Sequence, residues 1–251
     1  DAPLAYQAFF GGQFKDEGVQ VKWLAPMETF VELGGEVGRG RNFPASDRAR
    51  NGLGSATLFA HLGGDVGASH SWRAGLSLLR TSPQGRAYTD AGVTNRFSGD
   101  SRLEIADFVW KWAPNGNSSY TGFKLQGEYF RRRESGDLAY DVNTTNNTDR
   151  YASSQSGGYL QGVYQFMPRL RVGLRRDRLD SGSVDYASNN AALGQAAYNP
   201  SKSSLMFDYS PSEFSRFRLQ FAQDKSRPEA TDNQVFLQYQ ASLGVHGAHR
   251  Y

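Results

Sequence analysis

Period-two alternation recurs along this chain, and wherever it recurs the charged side chains keep to one face. In the last such stretch Val235, Leu237, Tyr239, Ala241 and Leu243 share a face, and Gln234, Gln238, Gln240 and Ser242 share the other. Earlier stretches add charge to the polar side. Phe217, Leu219 and Phe221 oppose Arg216, Arg218 and Gln220, and Leu170, Val172 and Leu174 oppose Arg169, Arg171, Arg175 and Asp177. Alternation of this kind marks strands with one apolar and one polar face. A soluble barrel turns its apolar face inward, yet an interior holding so many charges is no dry core. The apolar face is therefore expected to meet lipid, where Arg or Lys costs about 2–4 kcal/mol at the midplane.

Connection lengths sharpen this reading. Twelve strands are expected, beginning with Leu4–Gln13, Val19–Leu24 and Met27–Gly38. Polar loops are expected at 39–52, 82–100, 133–155, 181–202 and 227–232, alternating with short turns such as Pro114-Asn-Gly-Asn117 and Met167-Pro168. A β-sandwich has no reason to sort its connections by length. An outer-membrane barrel does, with short periplasmic turns and long external loops. The expected fold class is thus all-β: a transmembrane, antiparallel, up-and-down β-barrel of twelve strands, one domain over 1–251, with both termini periplasmic. Trp23, Trp72, Trp110 and Trp112 fall on the apolar face near the short turns, where an aromatic girdle belongs.

Composition excludes other classes. Mean hydropathy is −0.61, and no run of 18 apolar residues offers a transmembrane helix. The chain has no cysteine, so disulfides and thiolate metal sites are out. A net charge of +3 on 28 basic and 25 acidic residues argues against nucleic acid as a partner.

Several stretches are also similar to a known family: Phe9-Phe-Gly-Gly-Gln13, Thr57 to Trp72, Phe97 to Trp112, Phe214 to Leu219 and Ser242 to Tyr251. They resemble Proteobacterial outer-membrane proteins labelled zinc-regulated or TonB-dependent outer-membrane receptors. The resemblance implies the C-terminal barrel of such a protein, whose members carry a further N-terminal region, and a link to zinc.

Glu28, Glu32 and Glu36, with Asp107 and Glu128, are the expected acidic wall of the lumen; Arg169, Arg171, Arg175, Arg216 and Arg218 are the basic one. Opposed walls would set up a transverse field acting on dipolar solutes and water. The four histidines, His61, His70, His246 and His249, gather near the short-turn end with Asp65, an imidazole and carboxylate set that suits Zn²⁺. No cofactor is required; Zn²⁺ is the candidate ion. No catalytic residue is expected: His70 and Ser71 are adjacent in a strand and point to opposite faces, so they make no nucleophile–base pair.

The expected role is a porin-like channel for passive passage of small hydrophilic solutes or ions, zinc among them. Two alternatives stand beside it: a non-conducting anchor or interaction barrel for a periplasmic region, and a narrow channel for acidic oligosaccharides. Expected partners are outer-membrane lipid and lipopolysaccharide, the barrel assembly machinery, and the small solute itself.

Overall fold

The computed structural model describes residues 2–46, 53–90, 92–194 and 198–242. A short helix, α1 (Leu4–Phe10), leads into β1 (Gly18–Leu24), β2 (Phe30–Gly38), β3 (Ser55–Val66) and β4 (His70–Thr81). A short β5 (Arg86–Asp90) precedes three long strands, β6 (Val93–Trp112), β7 (Gly122–Tyr140) and β8 (Asn147–Met167). The chain ends its described part with β9 (Leu170–Asp185), β10 (Ser201–Ser212), β11 (Ser215–Lys225) and β12 (Asp232–Ala241). All twelve belong to one antiparallel sheet. Eleven follow chain order as neighbours, and β5 pairs only with β6. Among the described residues β1 pairs with β2 and β12 with β11, and no ladder joins β1 to β12.

The strand count matches the expectation, but one member differs. Leu4–Gln13 is not a strand. Its apolar residues do not alternate, and Ala5 and Phe9, four apart on one helical face, are both buried. Pro3 stands at the start of α1, and Gly11 ends it in the left-handed region (φ 67°). There the Gly11 and Gly12 amides donate to the Gln7 and Tyr6 carbonyls, which a side chain with a Cβ would hinder. The twelfth strand is β5, inside the expected loop 82–100. The expected loop 133–155 is mostly strand as well, since β7 and β8 leave only residues 141–146 between them. These stretches pair in regular register but lack an apolar face, which strands projecting beyond lipid do not need.

The two faces of the sheet sort as the alternation predicts. Large apolar side chains stand open on the outside: Leu237 is 80% exposed, Leu76 67% and Leu58 66%. An exposed apolar band of this extent fits hydrocarbon as its solvent. Trp72 and Trp110 are register partners at its short-turn edge, and His70 stacks on Trp110 with ring centroids 5.6 Å apart. At the other edge outward arginines begin. Arg80, Arg102 and Arg133 form one cross-strand row, with Glu104 bridging Arg102 (2.8 Å) and Arg133 (3.6 Å). Arg102, Glu104 and Arg131 border the same outer surface as Leu58, Leu76 and Tyr129. Charge at that height costs at most about 1 kcal/mol, against several at mid-depth.

The interior holds a compact apolar cluster. Ala5 and Phe9 of α1 pack on Leu79, Leu103 and Phe130 of β4, β6 and β7, so the sheet curls around the helix. Phe9 stacks on Phe130 with centroids 5.5 Å apart and planes 7° apart.

If the long connections lie outside the cell, a single cysteine at Asn146 should react with a membrane-impermeant maleimide on intact cells, and one at Asn117 should stay protected. The native chain has no cysteine to obscure the readout. Labelling at residue 117 alone would invert the orientation.

Candidate functional site

The lumen is layered along its axis. On the long-connection side an ion-paired lid lies under the residues Asn42–Ser46, which fold inward: Ala45 and Ser46 are 1% and 2% exposed. Arg86 grips Glu134 through both terminal nitrogens, at 2.8 and 2.7 Å, and Ser101 Oγ donates to the same carboxylate at 2.8 Å. Arg86 also donates to the Pro44 carbonyl at 2.6 Å. The Phe43 ring lies within cation–π range of two guanidiniums, Arg86 and Arg132, each 5.2 Å from its centroid. Arg132 also lies 5.5 Å from the Phe9 ring and donates to Gln155 at 2.6 Å. Above the lid, Tyr151 and Tyr186 contact at 5.5 Å, and burial, with Tyr151 and Asp90 nearby, holds the Tyr186 phenol above its ordinary pKa.

α1 is the middle layer. Its first amide, at Leu4, donates to Asp177 at 3.0 Å, and the Tyr6 hydroxyl donates to Glu128 at 2.8 Å. Asp177 is fully buried and accepts Arg175 Nε on its other oxygen at 2.9 Å. An end of the helix is thereby tied to the wall by groups that would otherwise be buried without partners.

Beyond the helix, toward the short turns, lies a cavity of about 840 Å³. Inward side chains of β6 to β11 line it, together with the β3–β4 turn. It holds Lys111, Lys124, Arg171, Arg175, Arg216 and Arg218, against only Asp65 and Asp208. Asp208 is taken by Arg218 in a two-point pair, 2.7 Å at each oxygen.

The expected acidic wall is partly assembled. Glu32 and Asp107 hold His61 between them, with Nδ1 3.2 Å from Glu32 and Nε2 3.5 Å from Asp107. Lys22 and Arg73 lie 3.9 and 3.8 Å from the same carboxylates. Glu36 accepts from Gln20 at 2.9 Å, and Glu128 serves α1. Glu28 is corrected: it stands exposed in the bend between β1 and β2, because β2 begins only at Phe30. Arg169 is corrected too. It occupies the β8–β9 turn with φ 69°, exposed, since Pro168 ends the ladder one residue earlier than expected. The walls do not simply face each other across water; Arg175 and Arg218 are neutralised on their own side by Asp177 and Asp208.

The expected histidine group is dispersed. His61 lies in the lumen, His70 on the outer face against Trp110, and Asp65 at the turn, while His246 and His249 lie outside the described residues. Among the described residues no three His, Asp or Glu side chains gather as metal ligands do. Around His61 each ring nitrogen faces a different carboxylate, so the three groups share no common point for an ion. Sequence reasoning missed Glu134, Arg86 and Phe43, because they fall in expected loops.

No family model matches the chain. An uncharacterized protein of Aquifex aeolicus (strain VF5) is 27% identical over 269 residues, a match covering 99% of this chain and 54% of that protein. The chain thus spans about half the length of the curated relative it matches. Among solved structures it is similar to OmpTdeltaL8, a loop L8 deletion mutant of OmpT, an outer membrane protein of Vibrio cholerae. The TM-score is 0.51 at 12% identity, over 88% of this chain and 62% of that one. The fold is that of an outer-membrane β-barrel. A looser likeness, at TM-score 0.39 and 13% identity, is to a TodX deltaS2S3 mutant monoaromatic hydrocarbon channel, over 85% of this chain and 68% of that one.

Burial separates structural ion pairs from surface ones in this barrel. Glu134→Ala leaves Arg86 and Arg132 buried against no carboxylate and should cost about 3–5 kcal/mol. Glu17→Ala, which breaks the exposed Arg39–Glu17 pair (2.8 Å), should cost under about 1 kcal/mol. Denaturant unfolding of the refolded barrel in detergent measures both, and equal losses would remove the distinction.

Proposed function

We propose that this chain is an outer-membrane channel for small hydrophilic solutes, closed at rest by α1 and the inward loop Asn42–Ser46. The observation that supports it is the cavity of about 840 Å³, polar and lined by charge, inside a sheet whose outer face is apolar. An anchor needs no such space; eight-stranded barrels fill their interior with side chains, and sixteen leave an aqueous channel. The eleven strands in series here fall between, and a helix takes up the difference. The short turns are assigned to the periplasm and the long connections to the outside. Arginine rows at the long-connection edge suit an anionic outer leaflet, with lipopolysaccharide phosphates as their partners.

A second reading, the non-conducting barrel, draws on the lid. Phe9 and Phe130 are buried in the layer of α1 and Glu134 in the lid, with the half-buried Arg132 3.9 Å from Glu134, so side chains fill the lumen over two successive layers. Zinc enters as one candidate solute, on the resemblance alone.

Both readings meet in one measurement. Deleting residues 2–12 removes α1 but leaves every described strand pair in place. In planar bilayers the deleted protein should show stable conductance steps several times larger than those of the intact chain. If neither protein gives steps, although both fold by heat-modifiability on gels, closure by a removable α1 is overturned and the non-conducting reading is favoured.

A further inference from the structure

We infer that the cavity on the short-turn side of α1 is a binding site for a small polyvalent oxyanion, with phosphate as its simplest representative. The inference rests on the channel reading and names the class of solute that the channel would select.

The first observation is a like-charge pair. Lys111 and Lys124 are direct register partners on β6 and β7, and both side chains line the cavity. Facing like charges across a ladder are destabilising. Among the described residues no carboxylate lies within ion-pair distance of either. Arg171 and Arg216 repeat the pattern. Arg171 Nε donates to the Gln165 amide oxygen at 3.1 Å and Arg216 to that of Gln240 at 2.6 Å, neutral acceptors both. The rest of this lumen behaves otherwise. Arg86, Arg175 and Arg218 are each given a carboxylate at 2.7–2.9 Å. Where a cation serves the fold, this barrel places an acid beside it; at four positions around one cavity it does not.

The second observation is independent of charge. Gln220 is 5% exposed and Ser204 7%, both line the cavity, and Gln220 Nε2 and Ser204 Oγ have no hydrogen-bond partner. Arg216 Nε is buried without one as well. Buried donors left unpaired cost free energy unless something else accepts from them. Ammonium, guanidinium, amide and hydroxyl groups that line one space ask for a ligand with several acceptor oxygens and more than one negative charge. A halide could answer only part of that set, and a neutral sugar would leave the four cations uncompensated.

The test uses the full chain, refolded in detergent and titrated with inorganic phosphate by calorimetry at constant ionic strength. The wild type should bind. Lys111→Gln/Lys124→Gln should weaken binding by at least about tenfold, as the loss of charge-assisted hydrogen bonds implies. The exposed Lys15→Gln should leave it unchanged. Because the double variant also relieves the like-charge pair, it should melt no lower than wild type without phosphate. Phosphate should raise the melting temperature of the wild type alone. Equal phosphate affinities in the wild type and the double variant, or heat from neither, would overturn the site. Conductance separates this from the channel reading. A conducting α1-deleted barrel that ignores phosphate removes the oxyanion site and leaves the channel. Phosphate binding without conductance leaves the site and removes the channel.

Discussion

Hydrocarbon offers no hydrogen bonds and little tolerance for charge, and the rest of this structure follows from that. The backbone must pair strand to strand, and among the described residues eleven strands from β1 to β12 do so in one antiparallel series, with only the outer edges of β1 and β12 left unladdered. The outer face must be apolar, which the alternation supplies. Everything ionised is then forced inward or past the edges of the band. A chain with 53 formally charged residues, 28 basic and 25 acidic, thus acquires a lumen crowded with charge, and how those charges are settled becomes its main structural question.

The lumen settles them in two ways. In the lid and around α1, acids and bases are paired at short range and covered by aromatic rings, as with Arg86, Glu134 and Phe43. Buried pairs of this kind add little net stability over an apolar packing, but they punish any arrangement that separates them. They therefore fix where Asn42–Ser46 and α1 sit more than how firmly the barrel folds. In the cavity the balance is left open, with four cations facing solvent-sized space. The difference between these regions is the main reason to regard the lid as architecture and the cavity as a place for a solute.

The membrane-facing part of the fold was legible in the sequence because lipid imposes a strict period-two rule there. Leu205, Phe207 and Tyr209 against Ser204, Met206 and Asp208 reads the same on paper and in the structure. Outside lipid the rule lapses. Residues 133–155 continue as strand without an apolar face, so polarity alone made them look like loop. The segment Leu4–Gln13 failed for another reason. Its helix signals, Pro3 before it, Ala5 and Phe9 four apart, and Gly11-Gly12 after it, were present but were outweighed by the expectation of a paired first strand. Site residues followed the same division. Parity puts Arg171, Arg175, Arg216 and Arg218 on the inner face, and they line the cavity, whereas Glu28 and Arg169 lie two residues and one residue before their strands begin, where parity does not apply. Glu134 and Arg86 meet only in three dimensions, from β7 and the short β5, and no local pattern joins them.

One carboxylate connects the two regions. Asp177 accepts the Leu4 amide on one oxygen and Arg175 Nε on the other, and it is fully buried. Arg175 in turn lines the cavity. The first turn of the plug and the cationic wall thus share a single acceptor, with no solvent to make up a loss on either side. A group that drew on Arg175 from the cavity would compete with Asp177, the acceptor that also ties down the start of α1. Any free energy passed along this path works equally in reverse, so a helix that leaves its seat alters what Arg175 can offer to the cavity. On the channel reading proposed above, closure of the lumen and occupancy of the cavity would meet at this one carboxylate, which α1 and the cavity wall both use.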